Sequence, residues 1–235
     1  MASQKDPFRS ARLIYRAVRG AEDDAIFAAI NDDAFGYMNS NAGNNHLPGP
    51  SDAEKFRKSL EENLLSAIIC LPEDVPARNA PTPTSSPTPT PTPISTPTTP
   101  PPRPGTPIGQ IHLTSLPPHM RHHRSTEIGI QILPAHQGRG YGSEAIRWAL
   151  AYAFHRAGLH KVRIRAFAWN EGACRLYARL GFVEEGRERE SLWHEGRWWD
   201  GVEFGLVEGE WRALVGAEQG EAEAEADFEG QFGNK

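Results

Sequence analysis

No apolar run in this 235-residue chain approaches the ~20 residues that a membrane-spanning helix needs. The opening Met1-Ala2-Ser3-Gln4-Lys5-Asp6 is polar and lacks the apolar stretch of a signal peptide. Cysteine is scarce. Cys70 and Cys174 lie far apart, form no Cys-x-x-Cys pair and sit among apolar neighbours, which predicts reduced, buried thiols rather than a disulfide framework. An excess of positive charge is missing too. A net formal charge of -5 and an isoelectric point of about 6.0 give no global attraction to nucleic acid or to an anionic membrane. The expectation is a soluble cytoplasmic protein, a nuclear location remaining open, that binds neither nucleic acid nor membrane.

The apolar share, 38%, is low for a globular chain, so part of the length is expected to lie outside any core. One segment accounts for much of this. Pro72 to Pro107 holds 14 of the 20 prolines, spaced by Thr and Ser. Such a stretch buries too little apolar surface to offset chain ordering, and it predicts an extended, disordered spacer. A docking or phosphorylation segment is the functional alternative. The acidic run from Ala217, with Glu218, Glu221, Glu223, Glu225, Asp227 and Glu229, reads as a solvated tail. One domain over residues 10–213 is expected, interrupted by a disordered insertion at 72–106 and followed by an acidic tail at 214–235.

The remainder alternates α and β patterns. Leu13 to Val18 suits a strand. Ala21 to Asn31 suits a helix with Ala25, Ile26, Ala29 and Ile30 on one face. Ser51-Asp52-Ala53-Glu54 resembles a capping box opening a helix through Leu65. Ser66 to Leu71 is a short apolar strand. Ile108 to Thr114 and Thr126 to Leu133 suit adjacent antiparallel strands, so the proline-rich segment falls within a hairpin-like connection. A helix from Ser143 to Ala157 is closed by Gly158, and Lys161 to Ala168 alternates as a strand. Asn170 caps a helix whose face is Ala173, Leu176, Tyr177 and Leu180, ended by Gly181. Phe182 to Glu190 and Trp198 to Val207 suit a closing antiparallel pair.

Gln137-Gly138-Arg139-Gly140-Tyr141-Gly142 stands out between an apolar strand and an amphipathic helix. A glycine turn feeding a helix N-terminus directs backbone N–H groups and roughly half a positive charge outward, which suits a phosphate or pyrophosphate. The spacing is not the dinucleotide fingerprint, no acidic residue follows to hold a ribose, and the P-loop ending is absent. Taken alone, the turn is also compatible with a tight structural bend.

The order of parts adds to it. Strand, Gln-x-x-Gly-x-Gly, helix, strand, Asn, helix with Tyr, then Gly-Phe resembles the GNAT superfamily of acyl-coenzyme A-dependent N-acyltransferases. Gln137, Gly140, Gly142, Asn170, Tyr177, Gly181 and Phe182 carry the resemblance. It is specific from Ile128 to Phe182 and weak over the first seventy residues. The ending, Gly196 to Asp200, then Gly201 to Leu206 and Glu210-Trp211, is similar to Rim-type ribosomal-protein and small-amine acetyltransferases. The resemblance implies an α/β fold with a GNAT-type mixed, mostly antiparallel central sheet flanked by helices. It implies acetyl-CoA as co-substrate, no metal, and transfer to a primary amine by direct attack in a ternary complex, as a monomer or a homodimer.

Residue by residue, the resemblance implies that backbone groups of Gln137, Gly138, Arg139, Gly140, Tyr141 and Gly142 hold the pyrophosphate of coenzyme A, Arg139 adding a charged contact. Ile132 and Leu133, at the splaying end of their strand, would face the pantetheine arm. A β-bulge there would supply an N–H to the thioester carbonyl. Glu127 is the candidate base, or a strand-surface carboxylate. Tyr177 is the candidate acid, or a core aromatic. Asn170 contacts the pantetheine arm, caps its helix, or does both. Asp32, Asp33, Phe35 and Tyr37, with Trp193, Trp198 and Trp199, would wall an acceptor pocket or belong to ordinary core. His119, His122 and His123 match no zinc spacing and suit a solvated basic loop. A catalytically idle coenzyme A-binding or interaction module is the rival from another class, and a nucleotide-binding oxidoreductase a remoter one.

Overall fold

The computed structural model describes residues 6–72 and 105–217. The expected disorder of 73–104 and of 218–235 lies outside the described residues.

Seven strands form one sheet in the order β1-β2-β3-β4-β5-β7-β6. They are β1 (Ile14–Arg16), β2 (Leu65–Leu71), β3 (Thr106–Leu113), β4 (Ser125–Ile132), β5 (Lys161–Phe167), β6 (Val183–His194) and β7 (Arg197–Val207). All neighbours pair antiparallel except β4 and β5, which are parallel. The sheet is therefore mixed and mostly antiparallel, as expected. Leu71 pairs with Thr106, so the proline-rich segment leaves and re-enters the fold between the ends of two bonded strands.

Helices cover both faces. On one face α1 (Asp24–Asp32) and α3 (Pro50–Ser59) enclose a core of Ile14, Ile26, Phe27, Ile30, Ile68 and Leu60, while α2 (Ala34–Ser40) buries none of its residues. On the other, α4 (Tyr141–Ala151) and α5 (Glu171–Arg179) cover the larger core, in which Ile111, Leu113, Ile146, Ala149, Ile164 and Leu206 are sealed from solvent. Small residues on α4 (Ala145, Ala149) let its axis approach the sheet.

Some boundaries differ from the sequence pattern. In α1 the inward residues are Ile26, Phe27 and Ile30, while Ala25 is exposed; the large aromatic ring wins the core position over alanine because it removes more apolar surface from water. α3 starts at Pro50 rather than after Ser51, since proline fits the first helical position. Asp52 reaches back to accept from the Gly49 N–H at 2.9 Å. That bond, with His46 and Lys55 beside it, pulls the Asp52 carboxyl down to about 2. Residues 208–217 form a sixth helix, α6, which corrects the start of the tail at 214. It folds back because Trp211, only 6% exposed, stacks on Phe154 at 5.2 Å, and Val215 packs against the core.

Candidate active site

The site begins with a parting of strands. β4 keeps its bonds to β3 as far as Ile132, while β5 keeps its bonds to β7 along its whole length. Between themselves β4 and β5 pair only from Ser125 to Glu127 and from Lys161 to Arg163. Beyond Glu127 each strand follows its outer partner, and a gap opens. Bonding direction alternates along a strand. Glu127 C=O accepts from the Thr114 N–H at 3.0 Å, and the Leu133 N–H donates to Ile108 C=O at 2.8 Å. Those odd positions face β3, so the backbone groups of Ile130 and Ile132, beyond the last β4–β5 pair, face the gap. Ile132 thus offers its N–H there, its C=O being taken by Gln137 Nε2, whereas the Leu133 N–H is spent on β3.

The register of β4 against β3 is unbroken, which corrects the expected bulge in β4. The irregularity sits one strand away, between β2 and β3, where Ile69 opposes Gly109 and Cys70 opposes Pro107, leaving Ile108 as the extra residue. Splaying alone frees the β4 amides.

The glycine turn lies at the open end of this gap. Gly138 has φ +70° and Gly140 φ +79°, both left-handed, and Gly140 caps α4. The first-turn N–H groups of α4 have no acceptor within the helix. A Cβ on Gly138 would meet nothing within 4 Å and one on Gly142 only Ile132 at 4.0 Å, so the fold's own packing leaves space there. The Gln137 side chain ties the turn to the strand end: its Nε2 donates to Ile132 C=O at 2.7 Å.

A clamp not visible in the sequence holds the turn from outside. Arg12 Nη1 donates to Arg139 C=O at 2.9 Å, and its Nε donates to Glu144 Oε2 at 2.8 Å. Glu144 Oε1 accepts from the Arg12 N–H at 2.7 Å and from Ser10 Oγ at 2.6 Å. Burial tends to raise the Glu144 carboxyl, but these Ser10 and Arg12 bonds outweigh it and hold the carboxyl below its usual range.

The gap and the turn open into one cleft of about 1120 Å³. Ile132, Leu133, Gln137, Gly138, Gly140, Tyr141, Gly142, Asn170, Glu127 and Tyr177 all line it. Arg139 is not among the lining residues; its side chain is exposed and its carbonyl serves the clamp. Asn170 Oδ1 accepts from the Ala173 N–H at 3.2 Å, so it caps α5 while bordering the cleft. Tyr177 packs its ring against Phe204 at 5.7 Å, edge to face, and its hydroxyl bonds no described residue. Burial pushes that hydroxyl up to about 12, so it carries its proton at neutral pH. Glu127 Oε1 accepts from Arg165 Nε at 2.9 Å.

The acceptor wall is only partly as expected. Asp33 and Phe35 line the cleft; Asp32, Tyr37 and the three tryptophans are absent from its lining. Trp193 and Trp198, each more than half exposed, pack on each other at the hairpin tip, and Trp199 packs on Trp169. His119, His122 and His123 sit on an exposed 3₁₀ turn. The sequence reading missed His112 and Gln110 of β3, whose alternate spacing puts both on the β4 face that carries Glu127 and Gln131.

The sequence pattern of the acetyltransferase (GNAT) family matches residues 98–182, a span that takes in β3 to the end of α5 and supplies most of the cleft lining. Residues 98–182 thus resemble a GNAT acetyltransferase domain. The chain is similar to a spermidine N(1)-acetyltransferase of Vibrio cholerae, 42% identical over 78 residues, covering 33% of this chain and 45% of that protein. It is also similar to a putative ribosomal N-acetyltransferase, YdaF, of Bacillus subtilis, 35% identical over 107 residues, covering 46% and 57%. The chain spans about half the length of the curated relatives it matches. The fold superposes on the structure of a Vibrio cholerae spermidine N-acetyltransferase solved with CoA and spermine, with TM-score 0.62 and 21% identity over 86% of this chain and 99% of that one. A Bacillus anthracis acetyltransferase of the GNAT family gives TM-score 0.62 at 17% identity, over 86% and 98%. At those identities the likeness is one of fold.

Proposed function

We propose that the cleft binds acetyl-CoA and that the protein transfers its acetyl group to a primary amine by direct attack in a ternary complex. The observation that carries this is the gap between β4 and β5 opening onto the glycine turn at the N-terminus of α4, with Tyr177 on the same cleft. The N–H groups from Gly138 to Gly142 suit a pyrophosphate. The amides of Ile130 and Ile132 suit the amide-bearing pantetheine arm as a β-like partner. Acetyl-CoA supplies an activated thioester; the chain's residues orient it and move protons. Tyr177 holds the proton that the departing sulfur needs. Glu127 accepts the amine's proton through water, since Arg165 occupies one of its oxygens. Asp33, Glu127, Glu188 and Glu203 outnumber Arg165 and Arg179 around the cleft, which favours a cationic acceptor. Spermidine, named for two relatives, is the first amine to try, beside lysine and N-terminal peptides. We assign the protein to the cytoplasm; no described helix is long and apolar enough to cross a membrane.

Free-thiol release from acetyl-CoA with this amine panel tests the reading. Turnover with at least one amine is expected. Tyr177→Phe should lower kcat about 10²-fold or more, within the ordinary range for a general acid, while leaving acetyl-CoA affinity within twofold. Cofactor binding without turnover on any amine would favour the idle module.

A further inference from the structure

The β3 residue opposite Gly129 has no part in the reading so far. His112 pairs with Gly129 in the ladder, and its ring occupies the space a side chain at 129 would take. A Cβ on Gly129 would lie 2.1 Å from His112 Cε1 and 2.4 Å from Nε2. The ring therefore leans across β4, over its acceptor face, where it meets the edge of Phe56 and borders the cleft.

Its two nitrogens are distinguishable. Gln110 is fully buried, and its Nε2 donates to Gln131 Oε1. That leaves Gln110 Oε1 as the acceptor toward His112 Nδ1, at 3.0 Å. An amide oxygen only accepts, so Nδ1 must carry the hydrogen and Nε2 the lone pair. Nε2 bonds no described residue. Unlike His136 Nδ1 and Arg163 Nε, it is not a sealed, unpartnered nitrogen. Burial keeps the ring neutral at physiological pH.

We infer that His112 is a catalytic residue whose Nε2 takes the proton directly from the attacking amine. The inference rests on the acetyl-transfer reading and deepens it. The amine lone pair forms the C–N bond, the C–S bond breaks, and the sulfur takes the Tyr177 proton. The amine's proton passes to Nε2, and from there to water. Glu127 is the diagonal neighbour of His112 across β3 and β4 and lines the same cleft. Glu127 thus drains the proton toward solvent, and Tyr177 recovers one from it.

The test uses the full chain, acetyl-CoA and whichever panel amine gives the highest turnover. His112→Gln and His112→Ala should lower kcat about 10²-fold or more, with acetyl-CoA Kd within twofold of wild type. Free imidazole, entering the space left over Gly129, should restore part of the His112→Ala rate. Nitrogen-15 spectra of histidine-labelled wild type should show a protonated Nδ1 and a bare Nε2, a readout independent of any variant's folding. A hydrogen on Nε2, or variants that retain kcat within twofold, would overturn the assignment to His112 and leave the transferase reading standing. Absence of thiol release by the wild type with every amine would instead remove the transferase reading, and the inference with it.

Discussion

Replacing His112 by glutamine should change how this protein tolerates acid. An exposed imidazole takes its proton near 6.5, and burial pushes His112 down to about 4. The groups in contact with the ring, Phe56, Gln110 and Gly129, are uncharged, so burial acts alone. Between these two values the unfolded chain binds a proton that the folded chain refuses. Stability therefore rises with pH across the window. His112 contributes no penalty above 6.5, and its penalty grows as pH falls, levelling off below about 4. The gap corresponds to roughly 3 kcal/mol, a large share of the 5–15 kcal/mol typical of a domain. Glutamine has no proton to gain and keeps a comparable length. Urea unfolding of wild type and His112→Gln, followed by tryptophan fluorescence, measures the difference. At about pH 7 any offset reflects packing alone; at about pH 4.5 the variant should have gained roughly 2–3 kcal/mol relative to wild type. Carboxylates such as Glu144 lose their contributions equally in both proteins, so they cancel. Parallel stability curves over the whole range would refute the claim that the ring is held neutral inside the fold.

Two further outcomes concern the turn. Gly140→Ala forces a side chain into a left-handed backbone, with the new Cβ 3.3 Å from Arg12 Nη2. It should cost about 1–2 kcal/mol, lower the melting temperature by several degrees and weaken acetyl-CoA binding more than it weakens the fold. Glu144→Gln removes the carboxylate that gathers Ser10 and Arg12. It should cost about 1–2 kcal/mol, discounted because Arg12 is half exposed. The Glu144 carboxyl is depressed in the fold, so this loss should be seen above pH 4.5 and vanish as pH falls through the depressed value. Urea unfolding at both ends of that range checks the sign.

The parts of the site that neighbours in sequence determine were legible beforehand. Left-handed glycines at 138 and 140, the Asn170 cap and the Gly181 helix end each depend on a few adjacent residues. The alternation of β3 and β4 was likewise enough to pair them. What remained hidden depends on partners far along the chain. Arg12 and Glu144 stand 132 residues apart, and neither belongs to a recognisable pattern. The Gln131–Gln110–His112 chain crosses two strands, and in sequence its members look like polar interruptions of apolar runs. The bulge was misplaced because the pattern announces irregular pairing without saying which strand carries it. Composition alone leaves the hairpin tryptophans between pocket wall and core; Trp193 and Trp198 belong to neither, being more than half exposed on the hairpin.

Hydrogen exchange with and without acetyl-CoA tests the central claim most directly, because it reads the two backbone segments said to hold the ligand. Saturating acetyl-CoA should slow exchange at the amides of residues 138–143 and at Ile130 and Ile132. It should also stabilise the fold by about 2.7 kcal/mol at a hundredfold excess over Kd. Unchanged exchange at both segments under those conditions would contradict the account.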